Sequence, residues 1–215
     1  MKKILITFLI LFGAIAASRA QTAGNFELGV NTGLNISYVS MAGSAFTSNP
    51  VLGFNLGVSG DYYFSDRWSI KAKAIYDQKG WGNGYLEETI NGNTTTYDGL
   101  NYKLNYVTVP VMANWHFGRT RNWYLNFGPY VGFLMNASVS GDANQTGSDV
   151  KSYFNSTDFG LALGIGVNFP LSDKVKLFIE DDGQAGVTNI FKSTDGSSLQ
   201  SSRSSFNIGL HFSLD

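Results

Sequence analysis

Two histidines, His116 and His211, are the side chains in this sequence that could most readily accept a proton or begin a metal site. Each falls on the polar side of an alternating segment, "ANWHFG" and "GLHFSLD", and no carboxylate cluster stands nearby at a ligand spacing, so both read as polar filler. The stretch "DANQTGSDVKSY", residues 142–153, opens like a calcium loop with Asp142, Asn144 and Gly147, but Tyr153 stands where a bidentate glutamate is required. Cysteine is absent, which excludes disulfides, thiolate metal sites and a cysteine nucleophile. No G-x-S-x-G, zincin or phosphate-loop pattern occurs, so the sequence offers no reaction, cofactor or metal, and a non-enzymatic protein is expected.

The elements that hold these residues are written in "DFGLALGIGVNFPL", residues 158–171. Its glycines, at 160, 164 and 166, could mark a phosphate-binding turn or a helix-pairing face in a bilayer. The period decides otherwise. Phe159, Leu161, Leu163, Ile165, Val167 and Phe169 take every odd position, and Gly160, Ala162, Gly164, Gly166 and Asn168 the even ones. Strict alternation belongs to a strand with two unlike faces. "NFELGVNTGLNIS" repeats the design with Phe26, Leu28, Val30, Leu34 and Ile36, and "SFNIGLHFSLD" does so with Phe206, Ile208, Leu210, Phe212 and Leu214. Further strands are expected over Val51–Phe64, Trp68–Gln78, Asn101–Phe117, Trp123–Met135 and Val175–Val187, eight in all.

Bulk composition narrows the setting. Charged residues make up only 14% of the 215-residue chain and the net charge is -1, so nothing points to nucleic acid as a partner. Lys2 and Lys3, the apolar run Ile4–Ala16 and Ser18-Arg19-Ala20 describe a secretory signal peptide over residues 1–20, with the mature domain spanning 21–215; a retained anchor helix is the alternative. No later apolar run reaches the ~20 residues of a spanning helix, which leaves a soluble secreted sandwich or an outer-membrane barrel.

Connection lengths favour the barrel. The turns at 65–67, 118–122 and 170–174 are tight, whereas about 13 to 19 residues separate strands at 38–50, 80–98, 138–155 and 190–204. Short turns on one side, long polar connections on the other and an even strand count describe an all-β, eight-stranded, antiparallel up-and-down transmembrane barrel with both termini periplasmic. Tyr62, Phe64, Trp68, Trp115, Phe117, Trp123, Phe169 and Phe212 gather beside the short turns, as an interfacial girdle would. The apolar parity then meets outer-membrane lipid.

The other parity faces the lumen and carries Glu27, Asp61, Lys71, Lys73, Lys176 and Glu180, with Asn55, Asn126 and Tyr130; Lys174, nearest a turn, reads as a solvated rim residue. Eight strands leave just enough room for side chains, so these charges are expected to pair into a plug. Two places break the pattern. Asp181 shares the outward parity of Val175, Leu177 and Ile179, so a break in parity is expected there, with a bulge near Gly183 turning it away from lipid or a place at the outer rim as the alternative. Tyr102, Leu104 and Tyr106 are even, whereas Val107, Val109, Val111, Ala113 and Trp115 are odd, so a second break is expected, with the outer part projecting beyond the membrane. Pro110 cannot donate to a ladder and should sit at a locally unpaired point. Trp81, Tyr85 and Tyr97, in the long second connection, are candidate loop contacts or an extension of the strands.

Several segments resemble the PorT-like outer-membrane β-barrel family of Bacteroidetes-type bacteria: "GLNIS", "GFNLGVSGDYYFSDRWSIKAKAIYDQKG", "LNYVTVPVMANWHFG", "WYLNFGPYVGFLMNA" and "GQAGVTNI". Tyr106-x-x-x-Pro110 and Gly128-Pro129-Tyr130-x-Gly132 are the most specific, although Asp182-Gly183 stands where members usually carry Arg-Tyr. The resemblance implies an outer-membrane barrel, with some members linked to type IX secretion, and supplies no catalytic residue. The expected role is structural or interactive, through long extracellular loops toward an envelope or secretion-machinery protein; a small-solute pore or carrier is the alternative.

Overall fold

The computed structural model describes residues 23–41, 48–141, 148–192 and 198–214; the expected signal peptide and Asp142, Asn144 and Gly147 lie outside them. Eight long strands, β1 (Phe26–Met41), β2 (Val51–Tyr63), β3 (Trp68–Ile90), β4 (Asn93–Phe117), β5 (Trp123–Ser140), β7 (Thr157–Pro170), β8 (Val175–Gly186) and β9 (Leu199–Ser213), carry the fold. The two-residue β6 (Ser148–Asp149) hangs on the outer end of β5. Every long strand pairs antiparallel with its sequence neighbours, β4 with β5 and β9 with β1, so the sheet closes into a ring without a free edge over its common height. Closure is what makes the greasy outer face tolerable, because it leaves the wall no free strand edge in hydrocarbon.

The tight connections are set by local chemistry. Ser65 Oγ accepts a hydrogen bond from the Trp68 backbone N–H at 2.9 Å, and Ser172 Oγ accepts one from Val175 at 3.1 Å, so each serine folds its own turn. At the opposite end, β3 and β4 run far past the rest and reverse through Asn91 and Gly92, whose φ values of 53° and 82° make the left-handed two-residue turn that Asn-Gly favours. The segment 80–98, expected as a long polar connection, is thus mostly strand. Alternation there is masked by Gly, Asn and Thr, and tertiary pairing overrides the weak strand preference of Gly and Asn.

The wall changes character along its height. Near the tight turns, large apolar residues such as Leu34, Leu56, Ile70, Leu161 and Phe206 face outward and polar residues face inward. Toward the other end the order inverts: Leu100, Tyr102, Leu104, Leu134, Ala137 and Val139 point inward and are buried, while Asn101, Lys103 and Ser140 point out. This inversion, and not a break in this part of β4, explains the sequence pattern; the even residues of β4 stay inward from Leu100 to His116. The parity switch belongs to β5. There Tyr106 faces Leu134 while Asn105 faces Asn136, and the extra residue leaves Met135 and Asn136 both outside. No bulge occurs near Gly183 either. Asp181 pairs in continuous register with Ile165 and Phe206 and faces outward, a correction to the expected turn. Pro110 lies in a gap of the β3–β4 ladder, which lacks pairs between Thr108 and Val111.

The glycines of the 158–171 stretch each face a bulky partner on β5. Tyr130 lies opposite Gly160, Asn126 opposite Gly164 and Tyr124 opposite Gly166. A Cβ on Gly166 would stand 2.3 Å from the Tyr124 ring, and one on Gly160 2.6 Å from the Tyr130 ring. The glycines are the space those rings occupy. Gly166→Val is therefore expected to lower the unfolding free energy in detergent by about 1–3 kcal/mol or more, and Leu163→Val, on the outer face, by less than about 1.5 kcal/mol. Urea titration followed by the mobility of unboiled samples reads both.

Candidate functional site

The lumen is where the polar chemistry of the chain is concentrated, and it is organised in tiers. Nearest the tight turns, Lys176 on β8 pairs with Glu27 on β1, and the Tyr63 hydroxyl donates to the same carboxylate at 3.2 Å. The His211 ring stacks on Phe178 with centroids 4.2 Å apart, and its Nδ1 lies 3.1 Å from Asn168 Oδ1. His116 leans on Tyr63 at 5.1 Å and contacts Asn114 at 3.1 Å. The two histidines thus each have packed neighbours of their own, and among the described residues no group of three or more His, Asp and Glu could hold a metal ion.

One tier further in, Lys71 lies 3.6 Å from Asp61, which also accepts from Asn114 Nδ2 at 2.8 Å, while the ammonium sits 4.5 Å above the Tyr124 ring. Next, Lys73 on β3 crosses the lumen to Glu180 and, at 3.2 Å, to Asp182, both on β8; Asn126 donates to Glu180 at 2.9 Å. Beside it an amide cluster closes the wall around β1. Asn55 donates to Asn35 at 2.9 Å, Ser205 at 2.7 Å and Asn207 at 3.0 Å. Arg203 on β9 then bridges Asp77 at 3.2 Å and Asp182 at 2.7 Å as ion pairs. Last comes Lys79, 3.4 Å from Asp158 and 4.8 Å above the Tyr130 ring, whose hydroxyl donates to Asp158 at 2.9 Å.

Above this tier the lumen turns apolar. Trp81 and Tyr102 stack at 4.5 Å and 11°, Phe154 meets both edge-on, and Val39, Leu100, Leu104, Leu134, Val139 and Ile190 fill the remaining space. A charge here would have no partner, and there is none among the buried residues of this cap.

The six charges expected in the lumen all lie there, paired as described; Lys174 is exposed at a turn. Five others went unread: Asp77, Lys79, Asp158, Asp182 and Arg203. Asp77 and Lys79 continue the inward parity of Lys71 and Lys73; Asp77 lies within the expected strand, and Lys79 was legible had that strand been extended. Asp158 sits on the even face of the glycine-rich stretch, and Arg203 shares the parity of Ser205 and Asn207 but falls in what reads as a long connection. The three aromatics offered as loop contacts separate. Trp81 is buried in the apolar cap and unavailable to a partner, a correction that follows from the continuation of β3; Tyr97 packs on the cap's edge and Tyr85 is exposed.

Each ion is held because its counter-ion is. Lys73→Met leaves Glu180 buried without a cation, while Asp182 keeps Arg203, and is expected to cost about 3–5 kcal/mol of stability; Arg203→Met, which strands Asp77, is expected to cost about as much. Lys174→Ala should stay within about 0.5 kcal/mol of the parent. Chemical unfolding from detergent or phospholipid vesicles measures all three.

The geometry can now be set beside known proteins. Solved structures similar to the chain include the attachment invasion locus protein Ail of Yersinia pestis, at 16% identity and a TM-score of 0.44 over 89% of this chain and 100% of that one. Neisserial surface protein A matches at 16% and 0.48 over 87% and 96%, and OprG from Pseudomonas aeruginosa at 14% and 0.47 over 91% and 98%. No curated protein matches at the level of sequence. The sequence model of one family, described as the outer membrane protein beta-barrel domain, matches residues 18–192. With that match over most of its length and its eight strands closed into a ring, the chain belongs to the outer membrane protein beta-barrel domain family.

Proposed function

We propose that this small outer-membrane barrel is non-enzymatic and closed, and that it acts through its outer end, as a structural or interaction protein toward an envelope partner or an extracellular ligand. The observation that carries the reading is the continuous filling of the lumen: stacked ion pairs from Glu27–Lys176 to Lys79–Asp158, then an apolar cap around Trp81 and Tyr102. Ions moving along such a path must displace paired charges and then cross a cap whose described buried residues carry no charge. A small-solute pore or carrier, the competing reading, needs that path open.

The end that projects is built to meet something. β3 and β4 rise beyond the ring as a hairpin that exposes Tyr85, Glu87 and Asp98, and its inner side is anchored by Leu86 and Tyr97 on the cap. Anchoring keeps the hairpin from behaving as an isolated two-stranded ribbon, which is marginal in water. In this reading residues 1–20 direct export and are removed, both termini lie in the periplasm, and the Asn91-Gly92 tip lies outside the cell. The resemblance to PorT-like barrels favours a partner in the secretion machinery.

Purified barrel in planar bilayers is expected to give a silent baseline; steady ohmic steps would overturn the closed reading. Because the chain holds no cysteine, single cysteines report orientation cleanly. Gly92→Cys should react with a membrane-impermeant maleimide on intact cells, and Gly118→Cys only after the outer membrane is opened. The opposite pattern rejects the proposed topology.

A further inference from the structure

The outer wall has one place where the greasy belt fails. Asp181 on β8 faces outward between Ile165 of β7 and Phe206 of β9. It lies six residues beyond Val175, where β8 begins, which places it about 15 Å into an apolar band roughly 25 Å tall. Among the described outward residues between the tight turns and the level where polarity inverts, no other side chain is charged. The carboxylate of Asp181 makes no hydrogen bond or ion pair with any described residue. Beside it the wall is hollow. Gly183, Ala185 and Ser204 form a floor between Leu161, Leu163 and Tyr38, a depression of about 330 Å³ in the belt.

We propose that this β7–β8–β9 face is a docking surface within the membrane for a transmembrane segment of a different envelope protein, one that brings a lysine or arginine to the depth of Asp181. A carboxylate facing hydrocarbon needs a donor. The barrel's own strands turn no cation outward in the belt, so a second copy has no base to offer and would set carboxylate against carboxylate. Lipid supplies cationic groups only at the headgroup level, and Gly183 and Ala185 still lie between Asp181 and that level on β8. The small floor residues let a neighbouring backbone approach closely, and the hollow accepts its side chains. The interface stands whether the lumen conducts or is closed, so its test is separate from that of the closed reading.

The test places a photoreactive benzoylphenylalanine at Ser204 in the full-length barrel in its native outer membrane, with Ala74 on β3, across the ring, as the control position. After irradiation, Ser204 should yield one protein adduct, at least about tenfold above Ala74, and the cross-linked peptide should map to a membrane-embedded segment bearing a lysine or arginine. Asp181→Asn should cut that adduct about tenfold while the heat-modifiable migration of the barrel is unchanged, and Asp181→Glu should retain it. Exchanging the charges, Asp181→Lys with the partner's base replaced by aspartate, should restore it. An adduct with a second copy of the chain, with lipid alone, or with a segment lacking a basic residue overturns the proposal. So does no adduct, or one that Asp181→Asn leaves intact.

Discussion

A charge confined where water has no room must be matched by an opposite charge or it will not be tolerated, and in this barrel that requirement reaches from one end of the polar lumen to the other. Eight strands enclose a space about as wide as two opposed side chains. Lys71, Lys73, Lys79, Lys176 and Arg203 therefore cannot be solvated individually; each reaches a carboxylate, and Lys71, Lys79 and Lys176 also rest 4.5, 4.8 and 5.9 Å from the centre of a tyrosine ring, whose face shields the charge that the carboxylate leaves exposed. Two of these rings, Tyr124 and Tyr130, are what glycines of β7 make room for. Sequence features that look unrelated, glycine at 160, 164 and 166 and basic residues at 71 and 79, are two sides of one packing problem.

The second constraint is that the wall meets two solvents. Hydrocarbon demands an apolar exterior and leaves the polar groups to the lumen; water at the outer end reverses the assignment, so the barrel becomes there an ordinary small β-structure with an apolar centre. The bulge at Met135–Asn136 is the device that lets β5 join this inverted part, since one extra residue exchanges the faces of everything beyond it. The apolar cap is thus not an accessory to the ionic plug. It is what an alternating wall produces when it leaves the bilayer and continues upward.

Much of this was legible in period alone. Strict alternation in 26–36, 158–169 and 206–214 has no other economical reading, and turn residues located the tight connections within a residue or two. What escaped were the places where alternation carries no contrast. From Gly80 to Gly99 the residues, Leu86 and Ile90 apart, are small, polar or aromatic, so neither the length of the β3–β4 hairpin nor the burial of Trp81 was readable. Arg203 was hidden for a like reason: in "SSRSS" the serines inside and outside the barrel are the same residue. The pairing of lumen charges is invisible to sequence for a different cause. It joins residues up to 149 positions apart, and only closure of the ring decides which meet.

Those long chords have a consequence for how the fold is specified. Hairpin pairing sets each strand against its neighbour, and a slip of one residue would keep a ladder of hydrogen bonds while turning every side chain of that strand to the other face. Lys73 to Glu180 and Asp182, Arg203 to Asp77, and Lys79 to Asp158 all tie β3 to β7, β8 or β9 across the lumen, not along the wall. A slip in β3 would drive three cations and Asp77 into lipid and strand their partners at once. Ion pairs that contribute little net stability against an apolar core can therefore contribute decisively to uniqueness, because the alternative they forbid is far worse than the arrangement they hold. Asp181 is the exception that follows from the same rule. It is the charge for which the barrel itself provides no chord, and the wall around it is shaped to admit one from outside.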